Sequence, residues 1–158
     1  MSHTIDARWV WICSGLYYPV TALMILTIHS LEHYIYIVLS YIVLVAAQAA
    51  AFLAFPVAVP RKWREGLNGK TISERFLLFV QKYDGVSNCF PSMHVSTATL
   101  TALHTWNNYP PIGWWVFLFP GLISLSALFT KQHYIVDLPA GAALGYIVFK
   151  VFVLAYVV

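Results

Sequence analysis

The sequence predicts an all-α membrane protein, a polytopic bundle of about five transmembrane helices with one short helix lying in the membrane interface. Three observations predict it. Of 158 residues, 60% are hydrophobic and 9% charged, against roughly 25% charged residues in soluble domains. Five apolar runs approach the roughly 20 residues that cross a bilayer. The connections between them are unequal: 30–33 and 107–111 are short turns without Lys or Arg, whereas 56–91 is long and basic.

The elements follow in order. Residues 1–11 lack the basic region, short apolar core and small-residue cleavage site of a signal peptide, so the first span is expected to stay in the mature protein. Spans are expected at 9–28 and 34–55, the second with Gln48 as its only strongly polar residue. In the long connection, Thr71 and Glu74 form a capping box, Ile72, Phe76, Phe79, Val80 and Tyr83 share one stripe, and Gly85 supplies a stop. That pattern predicts a short interfacial helix over 71–83. The third span, 92–106, is short and carries Ser92, Ser96, Thr97, Thr99, Thr101 and Thr105, so it must face protein rather than lipid. A fourth is expected at 112–129 and a fifth at 135–158, where Gly141 and Gly145 have the spacing of close helix contact. Pro139 is tolerable only in a first turn, which puts the start of that helix near Ile135. Trp9, Trp11, Trp106, Trp114 and Trp115 fall near span ends, as an interfacial belt does. With no internal repeat or composition break, 1–158 reads as a single membrane-embedded domain.

Nine Lys plus Arg against six Asp plus Glu give +3. The excess sits beside apolar spans, so membrane lipids rather than nucleic acid are the expected partners. Arg8, Arg61, Lys62, Arg64, Lys70, Arg75, Lys82 and Lys131 share one face, which the positive-inside rule makes cytoplasmic. Cys13 and Cys89 make neither a disulfide framework nor a metal quartet.

Asp137 is the only carboxylate entering an apolar helix; Asp6, Glu32, Glu65, Glu74 and Asp84 lie in terminal or loop segments. An ionisable group there is a functional candidate. His133 precedes it by four residues, a spacing that lets the carboxylate accept the imidazole Nδ1–H. Pro91, Ser92, Met93 and His94 open the third span with free N–H groups, a hydroxyl and a proton donor, which suits a phosphate. The third span begins, the fourth ends and the fifth begins on the same face, so both groups meet there. Two histidines, one beside a carboxylate, with cations and a helix N-terminus, fit phosphoryl transfer through a phosphohistidine. Two histidines and an aspartate could also hold a metal, but the surrounding Lys and Arg favour an anion, and no metal or other cofactor is expected. His3, His29, His33 and His104 have no carboxylate at helical spacing and are expected to serve packing or the interface.

Residues 88–94 (Asn-Cys-Phe-Pro-Ser-Met-His) and 130–141 (Thr-Lys-Gln-His-Tyr-Ile-Val-Asp-Leu-Pro-Ala-Gly) resemble the second and third signature motifs of the type 2 phosphatidic acid phosphatase superfamily. The resemblance implies His133 as nucleophile, Asp137 as the residue that orients it, His94 as general acid and then base, and Ser92 as a phosphate ligand. Pro60-Arg61 is similar to a variant ending of the first motif, which implies Arg61, and Lys62 beside it, as phosphate ligands. Where the family carries Arg after the third-motif serine, Ser126 is followed by Ala127; Lys131 is expected to replace that clamp as a point charge. The family core usually has six membrane helices, so the first family helix is expected to be absent or to lie outside this sequence. The implied function is a cofactor-free membrane phosphatase acting on a lipid phosphomonoester or polyprenyl diphosphate. Residues 130–134 look like the branch containing inositol phosphorylceramide synthases, which keeps a headgroup transferase with an alcohol acceptor as an alternative. A non-catalytic membrane protein or transporter is the third. Most membrane members act on the outer or lumenal face; because substrate-binding cations inflate the charge count, the outer face is the expectation here.

Overall fold

The structure, a computed structural model, describes residues 5–60, 67–83 and 89–156. A single 3-10 turn, Ala7–Trp9, leads into α1 (Val10–Leu26); α2 (Leu31–Ala54), α3 (Ile72–Tyr83), α4 (Met93–Asn108), α5 (Leu118–Phe129) and α6 (Asp137–Tyr156) follow. The described residues contain helices and no strand. Four segments are long and apolar enough to cross a membrane: Ala7–Leu26, Leu31–Ala54, Pro110–Phe129 and Asp137–Ala155.

The third expected span, α4, is 16 residues long and forms the centre of the bundle, packed by α1, α2, α5 and α6. Ser92, Ser96, Thr99, Thr101 and Thr105 are thereby buried, with Thr97 half-buried. Thr97, Thr101 and Thr105 also turn their hydroxyls back onto the carbonyls of Met93, Thr97 and Thr101, at 2.8, 2.8 and 2.7 Å. Leu26, Leu53 and Leu154, on α1, α2 and α6, are 81%, 86% and 67% exposed, a surface suited to a hydrocarbon medium.

α4 and α6 approach as closely as the glycine spacing implies. A Cβ at Gly141 would lie 2.5 Å from the Ser92 carbonyl oxygen, and one at Gly145 would collide with that of Ser96. The pair serves packing within the chain. α6 begins at Asp137 rather than near Ile135, because residues 134–137 first make a turn closed by Asp137 N–H on the Tyr134 carbonyl at 3.1 Å. Pro139 still falls in the first turn. The fourth span is also less regular than expected. Pro110–Phe117 is a 3-10 segment broken at Gly113 (φ 59°), and only then does α5 start.

α3 is capped by Thr71 as predicted, with Glu74 N–H on Thr71 Oγ1 at 3.2 Å, while the Glu74 carboxylate reaches one residue further back than a capping box requires and accepts Lys70 N–H at 2.8 Å. Its inward side differs from the expected stripe. Phe76 stacks on Trp11 with centroids 4.7 Å apart, Trp11 Nε1–H donates to Ser73 Oγ at 2.8 Å, and Leu77 is fully buried against Ala7 and Val10. Ile72 and Phe79 turn outward, 77% and 59% exposed; Gly85 lies outside the described residues. At the same end, Asp6 N–H bonds the Phe129 carbonyl at 3.3 Å, Ser126 Oγ donates to the Trp9 carbonyl at 2.7 Å, and Trp9 stacks on Phe129. The start of α1 is thus fastened to the end of α5.

Candidate active site

α5 closes with the two hydrogen bonds of a Schellman turn, Lys131 N–H to Leu128 O at 3.0 Å and Gln132 N–H to Ala127 O at 3.1 Å. The turn requires a left-handed residue, and Lys131 supplies it with φ 53°. The chain then reverses and carries His133 back into the protein, where it is 7% exposed.

His133 Nδ1 lies 2.8 Å from the carbonyl oxygen of Cys89. A carbonyl can only accept, so Nδ1 carries the proton and the neutral ring holds its lone pair on Nε2. The hydrogen bond expected from Nδ1 to Asp137 is therefore replaced. Asp137 Oδ2 stands 3.5 Å from Nδ1, too far for a well-formed hydrogen bond and an ion pair only when the ring is protonated. Residues 133 and 137 do not share a helical face, because helix begins only at Asp137. The carboxylate instead accepts Tyr134 N–H at 2.8 Å, and the Asp137 carbonyl accepts Ser92 N–H at 3.0 Å. Asp137 thus closes the entry of its own helix, joins it to the entry of α4, and places a negative charge beside the imidazole.

Ser92 is the N-cap of α4, completely buried, its Oγ 3.5 Å from Val95 N. The adjoining Pro91 carbonyl accepts from Gln48 Nε2 at 2.5 Å, and Gln48 Oε1 accepts from Ser96 Oγ at 3.2 Å. Tyr17 donates its hydroxyl to the carbonyl of His94. The His94 ring then stands edge to face with His133, centroids 5.8 Å apart.

Four of the expected site residues, His133, His94, Asp137 and Ser92, are brought together at one end of the bundle, with Lys131 on the turn leading into His133. Arg61 and Lys62 lie outside the described residues. The chain leading to them runs along the site: Cys89 N–H bonds the Val57 carbonyl at 3.1 Å, and Tyr134 Oη reaches that of Ala58 at 3.5 Å. Among the described residues no three His, Cys, Asp or Glu side chains are placed to hold a metal ion together. His104 packs internally, its Nε2 2.9 Å from Ser40 Oγ; His3 lies outside the described residues.

Sequence reasoning missed three supporting groups. Gln48 carried a signal, a lone amide in an apolar span. The Cys89 carbonyl is a backbone group with no side-chain signature, and Tyr17 is one tyrosine among many.

A family model described as PAP2 superfamily matches residues 7–151, which include both motif segments. No curated protein and no solved structure matches the chain significantly. A match over that length, with apolar helices and the two histidines at one end of the bundle, settles the family: the chain belongs to the PAP2 superfamily, as a membrane-embedded, phosphatase-type lipid enzyme.

Proposed function

We propose that the chain hydrolyses a lipid phosphomonoester or polyprenyl diphosphate through a phosphohistidine on His133. The observation that carries this reading is the hydrogen bond of Nδ1 to the Cys89 carbonyl, which puts the proton on Nδ1 and the lone pair on Nε2, the nitrogen that attacks. Nε2 bonds to phosphorus as the phosphorus–oxygen bond to the lipid breaks. His94, as imidazolium, gives its proton to the departing oxygen. Water then loses a proton to His94 and attacks phosphorus, and the phosphorus–nitrogen bond breaks to release phosphate. Asp137, 3.5 Å from Nδ1, offsets the positive charge that His133 acquires. Ser92, the N–H groups that open α4, Lys131, Arg61 and Lys62 are assigned to the non-bridging oxygens.

The site is assigned to the outer face of the cell membrane, supported by the habit of the resembling family. Purified protein is expected to release phosphate from a lipid phosphomonoester in excess chelator and to form an acid-labile, base-stable phosphoenzyme. Turnover that disappears with chelator and returns with zinc or magnesium would refute the mechanism. The likeness of residues 130–134 to the transferase branch favours a second reading, in which an alcohol replaces water as acceptor. Added inositol would then take the phosphoryl group from His133 and appear as inositol phosphate at the expense of free phosphate.

A further inference from the structure

α2 carries one amide side chain, Gln48, and it is 2% exposed. A buried amide is costly unless both of its ends are paired. Here both are, with Nε2 donating to the Pro91 carbonyl at 2.5 Å and Oε1 accepting from Ser96 Oγ at 3.2 Å. Ser96 Oγ has a second acceptor, the Met93 carbonyl at 3.0 Å. The bond that depends on Gln48 is therefore the one to Pro91.

Pro91 belongs to the segment 89–92, whose backbone meets four other parts of the chain. Cys89 N–H donates to the Val57 carbonyl at 3.1 Å, the Cys89 carbonyl lies 2.8 Å from His133 Nδ1, the Pro91 carbonyl takes the Gln48 amide, and Ser92 N–H donates to the Asp137 carbonyl at 3.0 Å. The last two bonds share one peptide unit, Pro91–Ser92. A donor on the carbonyl of a peptide polarises it and strengthens its N–H. Gln48 thus starts a chain of hydrogen bonds that runs from α2 through the entry of α4 to the entry of α6. Two residues from Pro91, the same segment presents the Cys89 carbonyl to His133.

Resting on the phosphatase reading above, we propose that Gln48 is a positioning residue for His133. Its amide holds 89–92 in register, so that the Cys89 carbonyl meets Nδ1–H and the lone pair of the neutral ring stays on Nε2. Gln48 acts on the reaction through that carbonyl. With the register lost, the ring is released to the other tautomer, whose Nε2 carries a proton and cannot attack.

The test uses the full chain in nanodiscs, isotopically labelled at the histidine nitrogens, and compares it with Gln48→Met, which keeps the side-chain length and lacks the amide's donors and acceptor. At a pH where the ring is neutral, magnetic resonance of the native protein should show His133 as the single Nδ1–H tautomer, its signals assigned by their loss in His133→Ala. Gln48→Met should add the Nε2–H tautomer and lower kcat for a lipid phosphomonoester at least about tenfold, below its unfolding temperature. Gln48→Glu should regain activity relative to the native protein as pH falls, because a protonated carboxyl donates and accepts whereas a carboxylate only accepts. A single His133 tautomer in Gln48→Met, native kcat at lowered stability, or a loss confined to KM overturns the proposal and makes Gln48 a packing amide. If Gln48→Met does not fold, Gln48→Glu decides, and relative activity that stays level with pH overturns the proposal. A tautomer shift in a protein whose native form releases no phosphate from any lipid phosphate would refute the hydrolytic reading and leave the control of His133 by Gln48 standing; turnover with an unmoved tautomer would do the reverse.

Discussion

Lys131 occupies, with φ 53°, the position after the cap of α5 where glycine usually closes a helix. A side chain held in left-handed backbone costs about 1–2 kcal/mol, and glycine gives back about 0.5–1 kcal/mol of that through the freedom it adds to the unfolded chain. Lys131→Gly is therefore expected to stabilise the fold by about 0.5–1 kcal/mol. The same change removes an ammonium two residues from His133. A charge-assisted hydrogen bond to a phosphate oxygen contributes about 1.5–3 kcal/mol, which corresponds to a loss of about 10- to 150-fold in kcat/KM. The variant should thus be more stable and less active. Lys131→Asn, uncharged but tolerant of left-handed backbone, should share the activity loss, and Lys131→Arg should keep most activity without the gain in stability. Thermal unfolding in detergent and steady-state phosphate release would be measured on the same preparations. A glycine variant with full turnover and lower stability would refute the reasoning, because the lysine would then be a packing residue.

His133→Ala should abolish the phosphoenzyme, while His94→Ala should slow an alkyl phosphate more than p-nitrophenyl phosphate, whose leaving group needs no proton; equal slowing would contradict the division of roles. Gly141→Ala should destabilise by about 1–3 kcal/mol, because its Cβ would sit 2.5 Å from the Ser92 carbonyl oxygen; unchanged unfolding and turnover would show that α6 can back away from α4. Cys89 is 2% exposed and cannot report orientation, whereas Ile72 is 77% exposed at the same end. With Cys13 and Cys89 replaced by alanine, Ile72→Cys should react with an impermeant thiol reagent on intact cells; labelling only after permeabilisation would place the site on the cytoplasmic face.

The spans, the capping box of α3, the close glycine pair and the meeting of the two histidines were legible because each depends on local pattern or on the direction of successive spans. The rotation of α3 was not. In a soluble domain an apolar stripe marks the core, but at a membrane interface lipid accepts Ile72 and Phe79 while Trp11, Ala7 and Val10 take Phe76 and Leu77. The role of Asp137 was half legible. Its position in the chain marked it, but its partner depended on where helix starts, and boundaries are set by capping contacts such as Tyr134 N–H to Asp137 Oδ2. The acceptor for His133 was invisible, since a backbone carbonyl carries no residue-type signal. The broken entry to α5 followed from Gly113 adopting φ 59°, a choice that hydropathy does not register.

The contact of Gly141 and Gly145 with the carbonyls of Ser92 and Ser96 has a mechanical consequence. It makes α4 and α6 a stiff spine, with the entries of both helices pinned by Ser92 N–H on the Asp137 carbonyl. α1 and α2 lean on that spine from outside and are separated by a groove. α1 and α2 are themselves tied to the entry of α4, through Tyr17 on the His94 carbonyl and Gln48 on the Pro91 carbonyl, so a tilt forced by a change in bilayer thickness would pull on that entry and not on the glycine contact. Bilayer thickness would then reach His94 through α1 while the spacing of α4 and α6 stayed fixed.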